Sequence, residues 1–206
     1  MIHALVLVCV AQAQAQAGAP TNPLARLDAH TVGKIMTRRP LTAFLAKSGL
    51  HPHLEPGVAS PLAPLTATDF KLGSRLLTEQ IASTKGLSPE ASKQLVDTLN
   101  AVMDGFEKTQ RKGNVAAALA WLLFNALDPF IHLIAHMSDE EGDGVVTAIN
   151  DELAASSAFR KMSDLQKQQL YEACLAASAA IIGYEKTNDL DGAKKLGRSI
   201  IETYAP

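Results

Sequence analysis

The sequence predicts an all-α protein, a single-domain bundle of five to seven helices, and three observations carry that expectation. Apolar residues from Ala91 to Phe106 recur at steps of three and four. Ser163-Asp-Leu-Gln166 has the spacing of a capping box ahead of a second long apolar stripe. No segment offers a strand pattern of comparable quality, and only 5% of the residues are aromatic. With 206 residues, 47% of them hydrophobic, the chain can bury one sizeable core.

The order of segments begins with Met1 to Ala17, which has the outline of a secretory signal peptide. An apolar run from Ala4 to Ala11 leads into Ala-Gln-Ala triplets whose small side chains suit a signal peptidase, with cleavage placed after Ala17 or, next in order, after Ala15. The α-amino group is the only positive charge of its first region. The run falls short of the roughly 20 apolar residues of a membrane span. Cys9 leaves with such a peptide, so the mature chain keeps Cys174 alone and forms no internal disulfide. A secreted or periplasmic location follows, with no stable membrane span after cleavage.

Residues 18–65 read as a Pro-rich extended arm or linker. Pro20, Pro23, Pro40, Pro52, Pro56, Pro61 and Pro64 break long helices and favour extended backbone. One short helix is expected within it, Leu41 to Lys47, stopped by Gly49. His51 and His53 form a His-x-His pair of a kind that can bind metal, and are read here as solvated loop.

Residues 66–206 form the expected helical domain. Thr66-Ala-Thr-Asp69 supplies a helix start, and the segment to Lys85 is closed by Gly86. Ser88-Pro89-Glu90 gives an N-cap, a proline at the first helical position and an early acid, with a basic last turn from Lys108 to Lys112. Asn114 caps Val-Ala-Ala-Ala-Leu-Ala-Trp-Leu-Leu-Phe-Asn-Ala-Leu, apolar nearly all round and so read as a central buried helix; Asn125, Asp128 and Pro129 argue against a membrane hairpin there. Asp128-Pro129 restarts or kinks it, and a helix from Pro129 to Met137 follows. Val145 to Ala155 forms a shorter helix. The capping box at Ser163 opens a long helix to about Thr187, with Leu170, Cys174, Ala177, Ile181 and Tyr184 on its inner face. Asn188 to Asp191 begins the last, with Leu190, Ala193, Ile200, Ile201 and Tyr204 apolar.

Composition excludes one class of partner. Nineteen basic and twenty-one acidic side chains give a net charge of −2, without the basic footprint that nucleic acid requires.

The segment His132-Leu-Ile-Ala-His-Met-Ser-Asp-Glu-Glu-Gly-Asp-Gly-Val-Val-Thr-Ala-Ile-Asn150 is the one whose residue types suit chemistry. Counting Asp139 as the first position of a twelve-residue calcium loop puts Glu141 third, Asp143 fifth and Gly144 at the sixth, where the sharp turn needs glycine. Val145 (through its carbonyl), Thr147 and Asn150 complete the set, although Asn150 stands where a bidentate glutamate belongs. The alternative assigns Ser138 and Glu141 to a capping box and the acids to the positive end of the following helix. His132 and His136, four apart on one helical face, are a candidate zinc pair for a hydrolase. The residues between them are Leu-Ile-Ala, without the glutamate that a His-Glu-x-x-His protease needs.

Elsewhere the chemical signatures are missing. Cys174 lies in an apolar stripe, where burial raises a thiol's pKa and makes it a poor nucleophile. There is no G-x-S-x-G elbow, phosphate-binding G-x-x-x-x-G-K loop or G-x-G-x-x-G turn.

Gly113-Asn114-x-Ala-x-Ala ahead of a hydrophobic helix, Gln168-x-x-Tyr171-Glu172 on a later long helix and Ala193-Lys-x-Leu-Gly on the last together resemble an uncharacterised family of exported bacterial all-α proteins, a domain of unknown function. The resemblance spans roughly Thr66 to Tyr204. It implies secretion and a helical fold and carries over no catalytic residue; a cap at Asn114 and buried polar contacts at Tyr171 and Glu172 account for its polar positions.

Three readings of function follow. The first is a non-enzymatic binding or interaction module that holds a protein or small ligand in a groove between helices and needs no cofactor. The second is a calcium-binding helical domain with a degenerate loop at 139–150. The third is a zinc-dependent hydrolase built on His132 and His136.

Overall fold

The computed structural model describes residues 22–51, 53–83 and 88–202. The signal-peptide reading, Cys9, the helix end at Gly86 and the apolar position at Tyr204 lie outside these residues. Ten α-helical segments and no strand occur among the described residues. A single isolated antiparallel bridge joins Asp69 to Asn114.

The arm contains more structure than its prolines suggest. A 3-10 turn at Pro23–Arg26 precedes α1 (Ala29–Met36) and α2 (Arg39–Ser48). Two α-helices thus stand where one was expected. Asp28 starts α1 by accepting a hydrogen bond from the Thr31 amide, and Gly49, at φ 74°, ends α2. Leu24, Val32, Ile35, Leu41 and Leu45 are all fully buried, so these residues belong to the same core as the rest of the bundle.

From Leu54 to Pro64 the chain has no regular secondary structure, reaching an extended backbone at Pro64, and it makes a short 3-10 turn at Leu65–Thr68. The long helix expected from Thr66 to Lys85 is replaced by extended chain followed by α3 (Leu76–Ala82). The reason is tertiary. Asp69, the acid of the expected helix start, turns to Arg111 and Asn114 instead, while the Phe70 amide donates to the Gly113 carbonyl.

The remaining helices follow the sequence closely. α4 (Pro89–Thr109) is capped by Ser88, and α5 (Val115–Ile131) by Asn114. Between Val115 and Leu127 every residue of α5 is buried except Trp121, which is half-buried. α5 passes through Pro129 without ending; His132, at φ 49°, terminates it, and the one-turn α6 (Leu133–His136) follows. α7 (Asp139–Ala155) starts six residues before the expected Val145, with the Ser138–Glu141 capping box formed. α8 (Ser157–Arg160) is one turn. α9 (Asp164–Lys186) opens on the Ser163–Gln166 capping box, and α10 (Leu190–Glu202) closes the bundle.

α5 is the axis of the molecule, packed against α7, α9 and α10. Close approach to α10 depends on Gly197, where a methyl group would collide with the Ala126 carbonyl. Leu170, Cys174, Ala177 and Ile181 of α9 are buried as expected; Leu190 is 45% exposed and Tyr184 half-buried.

Candidate functional site

The six positions of the expected calcium loop lie on one continuous helix. Asp139 and Asn150 are therefore about 16 Å apart along the α7 axis, by the helical rise per residue, whereas a calcium loop folds its ligands around one point. Asp139, Glu141 and Asp143 are exposed, Thr147 is half-buried, and Val145 and Asn150 are buried. The capping arrangement accounts for Glu141, whose carboxylate accepts hydrogen bonds from the Ser138 amide at 2.9 Å and the Ser138 hydroxyl at 3.1 Å. Those bonds hold its pKa below the usual carboxylate value.

His132 and His136 do not share a helical face, because the left-handed backbone at His132 separates α5 from α6. Both are exposed. Among the described residues no group of three or more His, Cys, Asp or Glu side chains is placed to hold a metal ion. His51 is half-buried and His53 exposed. Cys174 is fully buried, and its thiol is pushed far up by loss of solvation.

The buried polar side chains have a common task. On α7, Glu152 accepts from the Ser60 amide (3.0 Å), the Ser60 hydroxyl (2.6 Å) and the Arg38 guanidinium (2.7 Å). Asp151 accepts from the Ala63 amide at 2.9 Å and lies 3.6 Å from Arg38. Asn150 donates to the Ala63 and Pro64 carbonyls and accepts from the Thr68 hydroxyl. On α9, Gln168 grips the backbone at Gly73 and Ser74, and Glu172 accepts from the amides of Leu76 (3.1 Å) and Leu77 (2.8 Å), capping α3. Asn114 donates to the Leu65 carbonyl and to Asp69.

These six side chains are all buried, and each satisfies backbone groups that have no regular secondary structure to pair with. They clamp residues 60–77 onto the bundle. The expected buried contact at Tyr171 is also present: its hydroxyl donates to Glu107 over 3.4 Å, and its ring packs edge-on against Phe70 and Phe106. Asn150, Asp151 and Glu152 were missed as a clamp by sequence reasoning. The available signal was three polar residues in succession between Ile149 and Leu153, too many for an apolar helix face.

Among the described residues an open groove of about 420 Å3 lies between α5 and the α6–α7 turn. Ala117, Trp121 and Phe124 come from α5; Met137, Gly142 and Val146 face them. Ser138, Asp139, Asp143 and Gln110 supply the polar edge, and Ile134, 42% exposed, stands at its margin. Past Ala117 and Val146 the groove continues into a smaller recess of about 200 Å3 that reaches Leu65, Arg111 and Asn114.

Much of the lining comes from the segment that the sequence marked for chemistry, residues 132–150, but it contributes shape and apolar surface. Trp121 packs edge-on against Phe106 with ring centres 6.0 Å apart. Its indole N–H is shielded from solvent and has no hydrogen-bond partner among the described residues. An unpaired donor of this kind costs about 1–3 kcal/mol.

Comparison with curated proteins and with solved structures gives no match. A family model does match, over residues 58–195, from the clamped strap into the first half of α10. With two thirds of its length inside that match, the chain belongs to the family of unknown function DUF6683.

Proposed function

We propose that the protein is a non-enzymatic binding module that takes an apolar segment of a partner protein in the groove between α5 and the α6–α7 turn. The observation that carries this reading is Trp121, a half-buried aromatic on the groove wall beside Phe124, Met137 and Val146. An occupant that covers the exposed part of the ring gains apolar burial. The buried polar side chains of α7 and α9 are directed at the chain's own strap, so their role in this reading is structural. No cofactor or metal enters this reading. The apolar run and small residues ahead of Gly18 support secretion or residence in a periplasm.

The chain has one tryptophan, so its emission reports on the groove. Titration with the neutral apolar dye Nile red should give a saturable change in Trp121 emission at one dye per chain. Val146→Asp, which places a charge on the groove wall, should abolish it. Equal binding by wild type and variant, or no saturable change at all, overturns the proposal.

A further inference from the structure

The strap held by the clamp is a shaped surface in its own right. Between Val58 and Leu65 its burial repeats every third residue: Ser60 is buried and Ala63 half-buried against α7, while Pro61, Leu62, Pro64 and Leu65 face solvent. Val58 is 91% exposed, Leu62 86% and Leu65 51%. Scattered exposed leucines are ordinary on a protein surface; three large apolar residues and two prolines along one short ridge are not. A three-residue period is that of polyproline II, and Pro64, at φ −60° and ψ 141°, lies in that conformation. Pro61 and Pro64 fix their own φ angles and hold Ser60 and Ala63 extended. The clamp from Glu152, Asp151 and Asn150 completes the ordering, so the ridge is rigid before it meets anything.

Resting on the groove reading above, we infer that the occupant of the groove is a second copy of this chain, with the Val58–Leu65 ridge of each protomer seated in the aromatic-lined groove of its partner. Polyproline II ridges are taken up by grooves lined with aromatic side chains, and here Trp121 and Phe124 line one on the same molecule. Leu65 belongs to both features, closing the recess at the far end of the groove. A convex and a concave surface that adjoin at one residue form a self-complementary patch, which a twofold axis pairs ridge to groove twice over.

Hydrogen bonding and charge agree with this pairing. Among the described residues the carbonyls of Pro61 and Leu62 accept no hydrogen bond, and the exposed Gln110 side chain on the groove edge offers amide donors. The ridge carries no charge from Gly57 to Thr68. Beside it stands Lys34, 3.2 Å from the Ser60 hydroxyl and with its side chain 41% exposed, opposite in sign to Asp139 and Asp143 on the groove edge.

The test is sedimentation equilibrium of the full chain across a range of concentrations, with Trp121 emission followed in parallel, and the same measurements on Leu62→Asp. The expected result is a wild-type dimer whose dissociation moves Trp121 emission, and a monomeric Leu62→Asp that still melts cooperatively, with a midpoint independent of concentration. A synthetic peptide of residues 57–68 should then bind the Leu62→Asp monomer saturably, read by Trp121, and fail to bind when Val146→Asp is added. A dimer that Leu62→Asp leaves intact overturns the inference. A chain that stays monomeric at all concentrations overturns it too, and in that case Nile red binding blocked by Val146→Asp leaves the groove reading standing. A monomer that binds neither dye nor peptide removes both.

Discussion

Glu152 holds Ser60 at two points, accepting from its amide at 3.0 Å and from its hydroxyl at 2.6 Å, although 92 residues separate them in the chain. The same carboxylate receives the Arg38 guanidinium at 2.7 Å, so one buried acid joins α7, the extended strap and the start of α2. Glu152→Ala leaves Arg38 without its nearest anion and the Ser60 amide without an acceptor. A loss of about 2–4 kcal/mol in unfolding free energy is expected. Urea denaturation of the variant beside wild type measures it, and a change under about 0.5 kcal/mol, the range of an ordinary surface substitution, contradicts the clamp.

The clamp also sets how stability responds to acid. Burial alone raises the pKa of Glu152, but the Ser60 hydrogen bonds and Arg38 outweigh it and hold the carboxyl below its ordinary value. Asp69 is lowered by hydrogen bonds from Arg111, and Asp28 by those from Thr31. A carboxyl with a depressed folded-state pKa contributes stability that is complete above its unfolded value, about 4 for Asp and Glu. That contribution disappears as pH falls through the folded value. The melting temperature should therefore drop steeply below about pH 4, and the drop should be shallower in Glu152→Gln. A melting temperature that holds level or rises from pH 5 to pH 3 refutes this assignment.

Two glycines in helices should respond to alanine with opposite signs. At Gly197 a methyl group would meet the Ala126 backbone carbonyl across the α5–α10 contact, so Gly197→Ala forces the helices apart and costs about 1–3 kcal/mol. At Gly33, inside α1, nothing lies within 4 Å of the added carbon. Gly33→Ala should stabilise by about 0.5–1 kcal/mol through helix propensity. Thermal melts of the two variants decide the matter, and equal shifts in one direction contradict this account of the packing.

How far the sequence foretold all this depended on the range of the deciding interaction. Ser88, Asn114, Ser138 and Ser163 each cap a helix through an amide three residues away, so a short window of sequence contained both partners. Thr66-Ala-Thr-Asp69 offered an equally good local start, but Asp69 is claimed by Arg111 and Asn114, more than forty residues on, and no local pattern reveals that competition. α1 escaped notice because its flanking prolines suggested an unstructured arm, whereas burial of Val32, Ile35 and Met36 secures it. Gly142 and Gly144 suggested a loop ahead of Val145. The acidic first turn and the capping box outweigh their low helix propensity and start α7 at Asp139. The groove was out of reach in a different way: its lining comes from α5 and the α6–α7 turn, which meet only in the folded chain.

The acidic turn of α7 gives a prediction that separates a cap from a metal site. Glu141 closes the capping box on Ser138, and Asp139 and Glu140 sit with it at the positive end of the helix. Glu141→Ala removes the acceptor for the Ser138 amide and should lower the melting temperature. Asp143→Asn, on the next turn and outside the box, should change it much less. Neither effect depends on calcium if the helix persists from Asp139 onward, since a ligand stabilises only a state that binds it. Melts of wild type and both variants in chelator and in millimolar calcium test this directly. A calcium-dependent rise in the wild type that Asp143→Asn removes would restore the metal loop and require the first turns of α7 to unwind. Equal curves in both buffers assign the acidic run to helix initiation.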